Sequence, residues 1–324
     1  MTRRGLALVA VAFVALVAAV GRSAWHEPGR DAAAAADAVA SPRLPKAAPA
    51  VVSPPAAPAY DGPLKDTIER IQAQQEAGPD ASFLERRAAL ERRAATGDAN
   101  AAAELGNLML ECERFVDFGE DDIENLLVEG IAMFGKETLE LPESMPLDAA
   151  VDSAKHALAR WRDTCAGANG MELTADERRR AIDLLRSGAR AGNTDAMAKF
   201  ALYAFADFAD DRRALIADPA TVRERKREAR TYLERAIAAG NVEALYVAAT
   251  AHEAGTFVEK SALLAYAHMY AYRQASVRAG GDARTFDADL ALYAAELTPE
   301  QVADARRRGD AIDAACCRRG GSGS

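Results

Sequence analysis

The fold is decided by residues 231–280, TYLERAIAAGNVEALYVAATAHEAGTFVEKSALLAYAHMYAYRQASVRAG. This stretch predicts three short helices, of which the first ends at Gly240 and the last at Gly280. A glycine in the left-handed conformation commonly ends a helix, and Asn241 directly after Gly240 can cap the helix that follows. Two helices joined by so tight a turn pack antiparallel, so the stretch predicts a helical hairpin.

The same turn occurs three times along the chain. Each copy has a glycine, then Asp or Asn, then a polar or acidic residue two positions later, then alanine; the copies are residues 97–101, 192–196 and 240–244. Small residues follow in the second helix of each pair and should let two helices approach closely: Gly106, Ala201 and Ala249. A single hairpin cannot bury its apolar face, so stacking of neighbouring hairpins is expected.

The composition also favours helices. Hydrophobic residues make up 50% of the chain but aromatic residues only 6%, so the apolar content is mostly alanine and leucine, which is typical of helices. No stretch shows convincing strand alternation. The formal net charge of -9 argues against nucleic acid as a general partner. We therefore expect an all-α protein that does not bind nucleic acid.

Helix boundaries can be read from capping patterns. Three capping boxes predict helix starts, at Ser82 with Glu85, at Thr174 with Glu177 and at Thr298 with Gln301. Asp218 followed by Pro219 predicts another start. Residues 148–165 form an additional predicted helix inside an insertion, residues 116–173, which interrupts the repeat.

At this point the chain resembles the Sel-one-like repeat family, which is related to the tetratricopeptide repeats. The family pattern of glycine, aliphatic residue, spacer and A-[YW]-x-W is similar to residues 255–258 followed by 265–268, with His268 where the family often has tryptophan. Leu105-Gly106 matches the Leu-Gly of the family's second helix. The resemblance covers about residues 82–115 and 174–281. It implies an α/α solenoid of antiparallel helix pairs that binds other proteins and is not an enzyme.

The N-terminus predicts export. Arg3 and Arg4 precede an apolar run of about 16 residues, whereas a membrane-spanning helix takes about 20. Residues 1–24 are therefore interpreted either as a cleaved signal peptide or as an uncleaved anchor in the inner membrane. Residues 25–60 are rich in alanine and proline and predict a disordered linker. A helical-repeat domain then spans residues 61–316, before a flexible tail at 317–324. Either reading of residues 1–24 predicts a periplasmic location for the rest of the chain.

Four cysteines fit an oxidising compartment. Cys112 and Cys165 each end a predicted helix, so a disulfide between them would fasten the insertion to the first hairpin; two buried thiols are the alternative. Cys316 and Cys317 are adjacent. They leave open a mixed disulfide with a partner, one reactive thiol, or one packed and one incidental cysteine.

Basic side chains follow the first helices of two successive hairpins and could form one stripe that receives an acidic peptide or polymer. The alternative is a solvated face whose charges are offset by neighbouring glutamates. The candidate partner-binding residues are Arg178, Arg179, Arg186, Arg223, Lys226 and Arg230.

Signals for catalysis, cofactors and metals are missing. There is no phosphate-binding glycine loop, no nucleophile elbow and no metal-binding histidine motif. His252 and His268 fall in one hairpin and could approach each other, but packed, hydrogen-bonded histidines are the favoured interpretation. We therefore expect a protein-binding module of the cell envelope, an adaptor or assembly factor, without catalytic residues, cofactor or metal. The alternatives are a secreted effector and an enzyme or enzyme subunit with a site that the sequence does not reveal.

Overall fold

A computed structural model describes residues 78–117, 122–125, 127–128, 147–208, 212–281 and 283–317. These residues are mostly helical and contain no strand, so the all-α prediction is confirmed. The helices are α1 (Ala81–Ala95), α2 (Ala99–Glu111), α3 (Leu147–Cys165), α4 (Ala175–Arg190), α5 (Thr194–Tyr203), α6 (Arg212–Ala217), α7 (Pro219–Ala238), α8 (Glu243–Ala254), α9 (Ala262–Arg278), α10 (Ala283–Ala294) and α11 (Pro299–Cys316), with a 3₁₀ turn at Ala206–Phe208.

The repeated turn has the predicted geometry. Gly97, Gly192, Gly240 and Gly280 all have φ between 85° and 98°, the left-handed region that glycine enters at no steric cost. The Asp98 carboxylate and the Asn193 amide oxygen accept hydrogen bonds from the first turn of the following helix. Local residue chemistry therefore determines where each hairpin turns.

Neighbouring turns are also joined to each other. The Asn193 amide donates to Asn100 Oδ1 at 2.9 Å, and the Asn241 amide donates to Asp195 Oδ1 at 2.5 Å. In each case the asparagine after the turn glycine reaches the second residue of the previous second helix. Asn193 is the cap of α5, whereas the cap position of α8 is Val242, contrary to the prediction for Asn241, which still accepts from the Ala244 amide. The two asparagines thus help to set the register between hairpins.

Successive hairpins contact one another in chain order. The second helix of one pair packs against the first helix of the next: α2 against α4, α5 against α7, and α8 against α9. The α2–α4 contact is very close, because a Cβ on Gly106 would lie 2.5 Å from the Ala181 carbonyl oxygen. This agrees with the close approach that the sequence predicted at Gly106.

The buried side chains divide into two clusters that meet at α8. Ala244, Val247 and Ala248 belong to the cluster formed by the earlier helices. Leu245 and Ala249 belong to the cluster formed with α9, α10 and α11. Because α8 contributes to both clusters, it joins the two halves of the core.

The insertion returns to the point where it leaves the repeat. The Arg114 amide donates to the Met171 carbonyl at 2.7 Å, and the Gly170 amide donates to the Phe115 carbonyl at 3.3 Å. The sulfur atoms of Cys112 and Cys165 lie at bonding distance, 2.08 Å, as predicted. Helix α3 contacts α2 near its own end and also contacts α10. The insertion helix therefore links the first hairpin to the last.

Two local predictions need correction. The predicted cap of α1, Ser82, is wrong: the helix begins at Ala81 and its cap is Asp80, which accepts from the Phe83 amide at 2.9 Å. Ser82 donates to the Asp80 carboxylate instead of forming a capping box. The short helices α6 and α10 had no counterpart in the sequence prediction. The capping boxes at Thr174 and Thr298 are confirmed.

The predicted export segment and linker, residues 1–60, lie outside the described residues, as do the start of the predicted domain at residues 61–77 and the tail after Cys317. Within the described ranges, no helix combines the length and the apolar character that a membrane-spanning segment needs.

Candidate functional site

The six predicted partner-binding residues do not form one surface. Arg178 is only 3% exposed, and its Nε donates to Glu113 Oε1 at 2.9 Å. Glu113 follows α2, so this ion pair ties α4 to the end of the first hairpin. Arg178 is therefore a buried structural residue and cannot meet a partner, contrary to its assignment from sequence.

Two more of the predicted residues are engaged with carboxylates of their own chain. Arg186 Nε lies 3.0 Å from Glu228 Oε2 on α7, and its guanidinium stacks 5.2 Å from the centre of the Phe200 ring. Arg179 Nη1 lies 2.9 Å from Asp176 Oδ1. The charges of both arginines are therefore offset, as the solvated-face alternative proposes.

The remaining predicted cations share one face of α7. Arg223, Lys226 and Arg230 are exposed and fall at positions i, i+3 and i+7, and exposed Arg227 falls at i+4 between them. In the described part of the chain, Arg223, Lys226 and Arg227 take part in no ion pair, and Arg230 donates to the Phe257 carbonyl at 2.9 Å. We call these four residues the α7 basic face.

The α7 basic face points away from α4. Glu228 contacts Arg186 and Arg190 of α4, so its side of α7 is the side that meets α4. Arg230 lies two positions further along, about 200° around the helix. The predicted stripe is therefore split, with ion-paired arginines between α4 and α7 and, on the far side of α7, cations that form no ion pair with any described residue.

A shallow cavity of about 390 Å³ lies on α4 itself. Its described lining combines two arginines with two aspartates and one leucine: Asp176, Arg179, Arg180, Asp183 and Leu184. Because the opposite charges balance, this cavity offers less attraction to an acidic ligand than the α7 basic face does.

Tyrosines and carboxylates line the second helices, a feature that the sequence analysis did not single out. Lys199 Nζ of α5 lies 3.5 Å from Glu111 Oε2 of α2 and 3.6 Å from Glu243 Oε1 of α8. Burial, together with these two carboxylates, raises the pKa of Tyr203 well above its ordinary value. One feature of the sequence could have predicted this arrangement. Polar residues stand four positions apart in a second helix, as Lys199 and Tyr203 do, and such residues lie on the same face of the helix.

A second tyrosine beside a carboxylate lies on α10. Burial, followed by the Glu253 carboxylate, raises the pKa of Tyr293 well above its ordinary value. Tyr246 of α8 contributes to the raised pKa of both Tyr203 and Tyr293. Both of these tyrosines nevertheless keep part of their side chains exposed.

His252 and His268 meet, as the sequence suggested. Their ring centres lie 5.3 Å apart with planes inclined by 22°, and each Nδ1 contacts a backbone carbonyl. Burial lowers the pKa of His268 below its ordinary value, and the neighbouring His252 lowers it further. In the described ranges, no three or more His, Cys, Asp or Glu side chains gather as a metal site would need.

Cys316 and Cys317 at the end of α11 are bonded to each other, with their sulfurs 2.00 Å apart. Cys316 is buried, and its carbonyl lies beside the turn at Gly240. All four cysteines are paired within the chain, which contradicts a free reactive thiol or a mixed disulfide in this state.

No family model, curated protein or solved structure matches the chain.

Proposed function

We propose that this chain is a protein-binding module, a short α/α solenoid of stacked hairpins like those of the Sel-one-like repeats, and that its α7 basic face receives an acidic segment of a partner protein. In this proposal the module works in the periplasm as an envelope adaptor or assembly factor, exported through residues 1–24. The export pattern and the resemblance described from the sequence support these parts of the proposal.

The observation that carries the proposal is the difference between paired and unpaired cations. Arg178, Arg179, Arg186 and Arg225 all lie against carboxylates of the same chain. Among the residues that the structure describes, Arg223, Lys226 and Arg227 of the α7 basic face pair with no such carboxylate, and Arg230 donates to a backbone carbonyl. An acidic segment would supply the missing opposite charge.

The overall charge makes this face selective. The chain carries a formal net charge of -9, so most of its surface repels an acidic segment. A local group of cations on such a surface guides the encounter and fixes its orientation. Exposed charge pairs are screened by salt, so the complex should weaken as the ionic strength rises.

Charge reversal on α7 tests the proposal. The double variant Arg223→Glu/Arg227→Glu is compared with Arg307→Glu/Arg308→Glu on α11, where both arginines pair with Asp304. Two reversals of -2 each take either variant from -9 to -13, so the two variants match in total charge. The probe is a fluorescent oligoglutamate peptide followed by anisotropy at low and at moderate salt.

We expect the wild type and the α11 variant to bind the peptide and the α7 variant to bind at least tenfold more weakly. Equal binding by both variants, or an equal loss in both, would overturn the assignment to the α7 basic face, because only total charge would then matter.

A further inference from the structure

The second helices of the hairpins form a row, and α10 continues it. Helices α2, α5 and α8 contact one another in chain order, and Lys199 of α5 lies between Glu111 of α2 and Glu243 of α8. The Glu253 carboxylate of α8 lies beside Tyr293 of α10. We call α2, α5, α8 and α10 the helix row. One side of the row is covered by α4, α7 and α9, which pack against its members.

Helix α3 lies along the other side of the helix row. It has 19 residues, which is about 28 Å at 1.5 Å per residue. Its C-terminal end is at α2, where the Trp161 indole donates to the Glu111 carbonyl at 2.7 Å, and the helix also contacts α10. Packed helices lie about 8–10 Å apart, so the row is about as wide as α3 is long. A straight helix that contacts both edges of the row crosses α5 and α8 between them.

One apolar face of α3 is buried. Val151, Ala154 and Leu158 are each at most 7% exposed and fall at positions i, i+3 and i+7, which share one side of a helix. They belong to the same buried cluster as side chains of α2, α5 and α8. Helix α3 therefore sits on the helix row as an amphipathic peptide helix sits in the groove of its receptor.

The hairpins contact one another without the help of α3. Helix α2 packs directly on α4, where a Cβ on Gly106 would lie 2.5 Å from the Ala181 carbonyl oxygen. The helix row also carries tyrosines, carboxylates and the Lys199 ammonium. Water or a partner can hydrogen-bond such groups if α3 leaves, and tyrosine is enriched at protein interfaces. The Cys112–Cys165 bond would keep the displaced helix attached at one end.

We propose that the helix row is a second protein-binding surface, that α3 occupies it as an internal ligand, and that an amphipathic helix of a partner protein takes the place of α3. The partner helix repeats the pattern of α3, with small or aliphatic residues at i, i+3 and i+7 and an aromatic residue at i+10. Helix α3 lowers the apparent affinity for this partner, because only the molecules with an open row bind it.

A fluorescent peptide copy of α3 tests the proposal. It covers residues 147–165 with Cys165→Ser, so that it cannot exchange with the disulfide, and anisotropy follows its binding to the oxidised full chain. Leu158→Asp places a charge on the buried face of the chain's own α3, and Val151→Asp is a second, smaller change on that face. The matched control is Leu147→Asp, the same substitution in the same helix at a position that is 36% exposed.

We expect Leu158→Asp and Val151→Asp to bind the peptide at least tenfold more tightly than the wild type and Leu147→Asp do, because their own α3 no longer holds the row. A peptide that carries both aspartates should bind none of the four proteins. Hydrogen exchange should show lost protection in α3 of the two buried-face variants and unchanged protection in α2 and α4.

Three results would overturn the proposal. The first is peptide binding by the buried-face variants that is no tighter than that of the wild type. The second is retained protection of α3 in both variants. The third is a loss of protection in α2 and α4 together with α3 in both, because α3 would then be part of the core and no removable ligand.

This proposal does not rest on the α7 basic face, since none of its residues takes part. Leu158→Asp should bind the oligoglutamate peptide as the wild type does, so a failure of either proposal is distinguishable from a failure of the other.

Discussion

At the scale of single residues, the tightest packing occurs where a helix lacks a side chain. Gly188 of α4 is buried where α4 meets two second helices. A Cβ at this position would lie 2.6 Å from the Ala103 Cβ and 3.0 Å from the Ala196 Cβ. Real Cβ atoms do not approach so closely, so glycine sets the distance between these helices.

Gly188→Ala should therefore destabilise the fold, although alanine is the better helix former. Overpacking of a well-packed core costs typically about 1–3 kcal/mol, which outweighs the gain in helix propensity. We expect a lower midpoint in urea unfolding followed by circular dichroism. Ser187→Ala at the neighbouring exposed position is the control and should change the urea midpoint little. Equal midpoints for the two variants would contradict the prediction, because the helices would then move apart to accept the added methyl group at little cost.

Which residues could be predicted depends on how far away their partners lie in the chain. The turn glycines and their caps act within a few residues, and the sequence identified them correctly. Arg178 pairs with Glu113, 65 residues earlier, and nothing local distinguishes it from the exposed Arg179. Gly188 itself looks like a poor helix residue until α2 and α5 are placed against it.

At the scale of elements, α3 is fastened near its C-terminal end. Cys165 at its end is bonded to Cys112, and the Trp161 indole donates to the Glu111 carbonyl at 2.7 Å. It also contacts α10, and Arg86 of α1 donates to its Thr164 carbonyl at 2.9 Å. The sequence predicted the α3 helix almost to the residue, but it could not place the helix, because α10 lies more than 100 residues later and was itself not predicted.

The double variant Cys112→Ala/Cys165→Ala should lose about 4 kcal/mol of unfolding free energy. The bond closes a loop with a sequence separation of 53, and the chain-entropy argument gives about this value for such a loop. Urea unfolding measures the loss, and hydrogen exchange should show reduced protection in α3. The second disulfide is the matched control: Cys316→Ala/Cys317→Ala opens a bond between adjacent residues, so the loop-entropy effect should be absent. Equal losses in the two variants would contradict this account.

At the scale of the whole molecule, the free energy of unfolding should depend on pH in the alkaline range. Tyr203 and Tyr293 have raised pKa values in the fold because burial disfavours the phenolate. Tyrosine in the unfolded chain ionises near pH 10, so above about pH 10 the unfolded state loses protons that the folded state keeps. The stabilisation is complete below pH 10 and is lost as the pH rises toward the folded-state pKa values.

The unfolding free energy should therefore fall steeply above pH 10, and less steeply in the variant Tyr203→Phe/Tyr293→Phe. Urea unfolding between pH 8 and pH 11 measures the slope. If the double variant kept the wild-type slope, ionisation of these two tyrosines would not be the cause.

The whole-molecule arrangement was only partly predictable. Alanine-rich composition and repeated turns predict an all-α fold of hairpins, which the structure confirms. The sharing of α8 between two core clusters depends on opposite faces of one short helix, where Ala248 and Ala249 point to different clusters. Hydrophobic pattern alone does not distinguish those faces, because both are apolar. The solenoid, the partner and the envelope location stay predictions.

The Cys112–Cys165 bond closes the insertion into a loop. This closure also determines how the chain would respond to a mechanical load. If the two ends were pulled apart, force would pass through the Cys112–Cys165 bond and bypass the residues between them. With a sequence separation of 53 and about 3.4 Å per extended residue, roughly 180 Å of chain would be withheld from extension. Reduction of this bond would release that length and make the protein a longer tether.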